Sequence, residues 1–69
     1  MKLSARNQLS GTVTSLSYGN VMCEVVVDIG GGNEMVSAIT KSGAESLELE
    51  VGAAVTVVVK ATEVMLARD

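Results

Sequence analysis

Hydrophobic residues in this chain recur mainly at every second position, the period of a strand that buries one face. The pattern is clearest from Val21 to Ile29, where Val21, Cys23, Val25, Val27 and Ile29 share one face and Met22, Glu24, Val26 and Asp28 the other. The first face belongs in a core. The second carries Met22 and Val26 between acids, which suits partial cover by a neighbour. Leu9 to Ser17, rich in Thr and alternating at Leu9, Gly11 and Val13, predicts an earlier strand that ends in a turn at Tyr18-Gly19-Asn20. Glu34 to Thr40 predicts a third strand and Ala53 to Lys60 a fourth, with Val55, Val57 and Val59 inward and Val58 on the other side. Three successive valines, Val57 to Val59, predict burial on both faces. Val64 to Ala67 predicts a short last strand before Arg68 and Asp69.

Between the second and third strands stand Gly30-Gly31-Gly32-Asn33. A glycine loop that cradles phosphate joins a strand to a helix, with a Lys and a Ser or Thr following in the P-loop version. Here the chain continues as a strand without that Lys, so the segment predicts a hairpin turn whose residues need positive φ. Ser42-Gly43-Ala44-Glu45 matches the capping-box pattern, with Ser42 as the cap, and predicts a short helix that ends near Gly52. Five short strands with one small helix between the third and fourth is the element order of an all-β, OB-like Greek-key barrel. An SH3-like barrel is the main rival. Closing the barrel removes the exposed edges that valine-rich strands would present. With no proline, low-complexity segment or linker, residues 1–69 are expected to form one domain.

Composition adds a requirement for association. A chain of 69 residues rarely draws more than about 3–5 kcal/mol from a single core. Cys23 is the only cysteine and there is no histidine, so neither a disulfide nor a metal clip can supplement it. A hydrophobic fraction of 48% and a mean hydropathy of +0.42, with Tyr18 the only aromatic residue, point to an aliphatic core shared between subunits. The net charge of −3 repels nucleic acid, and one Tyr provides no stacking platform for bases. No apolar run approaches the roughly 18–20 residues that span a bilayer, and no signal peptide is visible, so a cytoplasmic location is expected.

Catalysis finds no foothold. Cys23 lies within the most apolar face, where a free thiol acts as a small hydrophobe. The carboxylates are scattered without the spacing of a cation loop.

Binding of an oxyanion fits better. Such a ligand wants convergent N–H and O–H donors with a cation or two. Ser4-Ala5-Arg6-Asn7-Gln8 and Lys60-Ala61-Thr62 together hold two of the five cations. Ser4 offers a hydroxyl, Ala5 and Arg6 offer backbone N–H groups, Arg6 adds a forked guanidinium and Lys60 a point charge. Thr40 and Ser42, at the start of the short helix, add hydroxyls where the helix dipole favours anions. Each residue also has a plainer role: Ser42 as a cap, Arg6 paired with a surface carboxylate, Lys60 as a solvated strand end.

The pentapeptide Ser4 to Gln8, the Leu9-Ser10-Gly11 that follows, the Gly30 to Asn33 turn and the closing Val59-Lys60-Ala61-Thr62-Glu63-Val64-Met65 resemble the molbindins, the Mop-type molybdate-binding proteins. The resemblance covers essentially the whole chain. It implies an OB-like five-stranded barrel, a homohexamer built as a trimer of dimers, and molybdate or tungstate held at subunit interfaces for storage or homeostasis. Carried over by position, the donors are Ser4, Ala5, Arg6, Lys60 and Ala61, with Thr40 matching a hydroxyl at the end of the third strand. Gly43 stands where a second Ser is common in the family. Either Ser42 substitutes from the adjacent position or that second kind of site is weakened. Molybdenum in this form is already wrapped in four oxo ligands, which implies no metal-ligating side chains and no organic cofactor. A module that only self-associates or docks on a partner is the alternative.

Overall fold

The computed structural model describes residues 3–69. Its elements are β1 (Asn7–Tyr18), β2 (Met22–Gly30), β3 (Asn33–Thr40), α1 (Lys41–Ser46), β4 (Ala54–Val59) and a 3₁₀ turn over Ala61–Glu63. The strands form one antiparallel sheet in the order β3-β2-β1-β4.

At 12 residues, β1 is long enough to serve two partners. Its first half, Asn7 to Thr12, pairs with β4, and Thr12 to Tyr18 pairs with β2. A bulge between Val13 and Ser15 shifts the alternation by one residue, so Val13 is buried before it and Leu16 packs inward after it. Val13, Cys23, Val25, Val27 and Ala44 form the buried core, with Leu16, Ile29, Ile39, Leu49, Ala53, Val55 and Val57 packed around them. Val21, expected inward, precedes β2 and is exposed.

The glycine segment is a hairpin turn. Gly30 pairs with Asn33 across it, and Gly30, Gly31 and Gly32 all have positive φ. Asp28 Oδ1 accepts the Gly30 N–H at 2.8 Å and fixes the entry to the turn.

Two expectations about local structure are corrected. The helix is capped by Thr40, not Ser42: Thr40 has extended φ and ψ, and its Oγ1 accepts the Gly43 N–H at 3.0 Å. The capping-box spacing was offset because the residue that ends β3 also caps α1, which leaves Ser42 inside the first turn. The helix also stops at Ser46, well before Gly52. It carries the buried Ala44 against the strands. Thr40→Ala should therefore destabilise the protein by about 0.5–2 kcal/mol, read as a lowered melting temperature, whereas Ser42→Ala should leave the melt near wild type.

The third correction concerns strand count. Val64 to Ala67 forms no strand, and the described residues form four strands, not five. The 3₁₀ turn, closed by the Glu63 N–H on the Lys60 carbonyl at 2.9 Å, interrupts the chain after β4, and Val64 lines a depression with Met35 and Val59 without joining a ladder. Met65 and Leu66 are left 92% and 93% exposed. The outer edges of β3 and β4 stay unpaired within one chain, so the barrel is open along that seam. Val58, expected to be covered, is likewise exposed. No helix among the described residues is long and apolar enough to cross a membrane.

Candidate oxyanion site

The antiparallel pairing of β1 with β4 matches Asn7 with Val59 and Gln8 with Val58. It thereby sets the residues just before β1 beside those just after β4, although more than fifty positions separate them in sequence. The result is an open depression of about 450 Å³ lined by Ser4, Ala5, Arg6, Val58, Lys60, Ala61 and Thr62. Five of the expected donor residues, Ser4, Ala5, Arg6, Lys60 and Ala61, thus share one wall-to-wall site. Val58 was not expected to line it, and Thr62 was expected only as part of the Lys60-Ala61-Thr62 segment, without a donor role of its own. Thr62 followed directly from the Lys60-Ala61 segment, whereas Val58 had no signal beyond strand parity.

The chemistry of this depression is one-sided. Arg6 and Lys60 bring two cations, Ser4 and Thr62 bring hydroxyls, and no carboxylate lines it. Among the described residues, no hydrogen bond engages the backbone N–H groups of Ala5, Arg6, Ala61 or Thr62. The Ala5 carbonyl, an acceptor that would repel an anion, is taken by the Gln8 side-chain amide at 3.0 Å. That bond also explains why Gln8 belongs to the motif, since it ties Ser4 to Arg6 to the start of β1. Ser4, Arg6, Lys60 and Ala61 are exposed and Ala5 is half-buried, so one subunit leaves the site open to water.

The structure keeps Thr40, Ser42 and Gly43 apart from this group. Thr40 and Ser42 line a second depression of about 440 Å³ with Asn20, Val21, Lys41 and Glu45. Its donors are partly spent. The Lys41 N–H goes to the Val21 carbonyl at 2.6 Å, the Gly43 N–H goes to Thr40, and the Thr40 and Ser42 hydroxyls lie 3.5 Å apart. A Cβ at position 43 would stand 2.9 Å from Thr40 Oγ1, so glycine fits the cap closely. Lys41 supplies a cation there that sequence reasoning missed, and Glu45 opposes it.

The model of the TOBE domain matches residues 3–66. The chain belongs to the TOBE domain family. Within that family it is of the Mop, or molbindin, type. It is 48% identical over 66 residues to "Molybdenum-pterin-binding protein 2" of Clostridium pasteurianum, covering 96% of this chain and 97% of the relative. A solved molybdate-binding protein from Sporomusa ovata superposes with a TM-score of 0.92 at 43% identity, over 99% of this chain and 100% of that one. The cytoplasmic molybdate-binding protein ModG, solved with molybdate bound, superposes with a TM-score of 0.85 at 43% identity, over 88% of this chain and 43% of that one. These likenesses decide the fold in favour of the OB-like arrangement over the SH3-like rival. The relatives named here are all described as binding proteins.

Proposed function

We propose that this TOBE-domain protein binds molybdate, and tungstate with it, at the interfaces of a homohexamer arranged as a trimer of dimers, as a cytoplasmic molybdenum store. The observation that carries the reading is the Ser4–Arg6 and Lys60–Thr62 depression, which offers cations, hydroxyls and uncommitted amides without a carboxylate. The molybdate-binding relatives support the choice of oxyanion.

Binding requires no covalent step. Arg6 and Lys60 offset the dianion's charge, and the Ser4 hydroxyl with the Ala5, Arg6 and Ala61 amides receive its oxygens. A second subunit laid over the open side removes water and strengthens each of these bonds, because the effective dielectric falls. Sulfate carries the same charge on a smaller frame, so donors spaced for molybdate reach it poorly. Phosphate is partly protonated at neutral pH, and in this depression the Ala5, Lys60 and Ala61 carbonyls are already hydrogen-bonded, so its proton competes for the few acceptors left, the Ser4 and Thr62 hydroxyls among them. Thr40, Lys41 and Ser42 form a second, weaker anion subsite, because Glu45 faces the same depression.

Isothermal titration with molybdate, with sulfate and phosphate as competitors and a light-scattering mass alongside, tests the reading. Tight binding that neither competitor displaces, on a particle of about six subunits, is the expected result. Equal affinity for phosphate would refute selection by a donor-rich pocket. Absence of heat with both molybdate and tungstate, on a particle of one defined mass, would leave a module that only self-associates.

A further inference from the structure

We infer that Gln8 locks the peptide between Ala5 and Arg6 in one orientation, and that this lock sets the preference of the site for fully deprotonated oxyanions over protonated ones. The inference rests on the anion-binding reading of the Ser4–Arg6 and Lys60–Thr62 depression and names the class of ligand it accepts. Gln8 does not line that depression. It lies in a neighbouring one, with Met35 and Val64, and Arg6 is shared by both. The Gln8 backbone is fixed in the β1–β4 ladder opposite Val58, whereas Ser4, Ala5 and Arg6 precede β1 and belong to no element. The Gln8 side-chain amide reaches back from the ladder to the Ala5 carbonyl at 3.0 Å. Among the described residues, no other hydrogen bond holds the peptide between Ala5 and Arg6.

A peptide unit is planar and trans, so its carbonyl and its N–H point in opposite directions. Fixing the Ala5 carbonyl toward Gln8 therefore leaves the Arg6 N–H directed away from Gln8 and free for an anion. Rotation of that one peptide would exchange the two groups and set a carbonyl where the amide stood. The exchange matters because the groups select opposite ligands. An N–H receives a bare oxo group, whereas a carbonyl repels one and accepts from a protonated oxygen. Near neutral pH molybdate, tungstate and sulfate present only bare oxygens, while phosphate keeps at least one proton.

The lock completes a pattern at this site. The Lys60 and Ala61 carbonyls accept the Glu63 N–H at 2.9 Å and the Val64 N–H at 3.4 Å, the bonds that close the 3₁₀ turn. Both are backbone to backbone, so they follow from the turn and not from any side chain. The bond to the Ala5 carbonyl is the one of the three that a side chain supplies, which makes position 8 the place where sequence sets the acceptor character of the depression. Gln8 is thus a positioning residue that acts on the ligand through the Arg6 amide. Its side chain is exposed, so replacing it costs the fold little packing.

The test compares the full chain with Gln8→Met, which keeps the length of the side chain and removes its donor, by titration with molybdate, sulfate and phosphate at one near-neutral pH. Melting temperature and light-scattering mass should stay near wild type. Molybdate and sulfate are each expected to bind about tenfold more weakly, the loss of one hydrogen bond to a charged group. Phosphate should hold or gain, so its affinity relative to sulfate rises about tenfold or more. A purely structural role would weaken all three anions by the same factor, and that result would overturn the inference. So would three unchanged affinities. Gln8→Glu also lacks the donor and must move the phosphate-to-sulfate ratio in the same direction, which keeps the inference falsifiable should Gln8→Met fail to fold. Because that ratio involves no molybdate, a wild type that binds sulfate and phosphate but not molybdate would refute the proposed ligand, while a shifted ratio would still uphold the lock. A wild type that binds none of the three would overturn both.

Discussion

Arg6→Ala and Lys60→Ala are each expected to weaken molybdate binding by at least about 1.5–3 kcal/mol, roughly 10- to 150-fold, with the particle mass unchanged. The two cations come from opposite ends of the chain and line the same depression, brought there by the β1–β4 pairing. Each would make a charge-assisted bond to one dianion, so removing either leaves that anion with too little compensation. Because both side chains are exposed in a single subunit, the size of the loss also reports whether a second copy covers the site. A loss well under about 1 kcal/mol is what an open, water-screened site would give. The double variant should lose less than the sum, since the two residues share one ligand. Arg6→Lys should recover only part of the affinity, as an ammonium cannot reproduce the guanidinium fork. Titration curves that overlay the wild type would remove Arg6 and Lys60 from the site.

The second large effect is on stability. Gly11→Ala is expected to cost about 1–3 kcal/mol, the range for overpacking a close-packed site, and to lower the melting temperature by roughly 4–24 °C. A methyl group at position 11 would run into Val27 Cγ1 and stand 2.8 Å from the Asp28 carbonyl oxygen and 3.3 Å from Ile29 Cγ2. Val27 is buried in the core and the carbonyl belongs to β2, so neither can swing aside as a flexible side chain would. For a core that supplies only about 3–5 kcal/mol, that loss is a large share of the total. Thermal melts by circular dichroism read it directly. A melt within a degree or so of wild type would show that β2 gives way at this point and that the close approach is not needed.

Much of the local architecture was legible as pattern. The period-two run from Cys23 to Ile29 placed Cys23, Val25 and Val27 in the core, because a half-buried strand must alternate. Gly30-Gly31-Gly32 read correctly as a hairpin, since only glycine takes positive φ repeatedly without steric cost. The family was legible too, from short motifs at both ends of the chain, and the TOBE match over residues 3–66 agrees with it.

What depends on which segments lie side by side in space was decided by the tertiary structure. The spacing Ser42-x-x-Glu45 suggested a cap, yet Thr40 won, because where β3 ends determines which hydroxyl faces the first free N–H. Val64 to Ala67 has the apolar character of a strand and is not one in a single chain, because a strand requires a hydrogen-bonded ladder to a neighbour, which an apolar run does not by itself supply. The grouping of Ser4, Ala5 and Arg6 with Lys60 and Ala61, and the separation of Thr40, Ser42 and Gly43 from them, follow from the register of β1 on β4. Side-chain periodicity is a local property and the sequence alone determined it. Strand register is a contact between residues remote in sequence, and only the fold could set it.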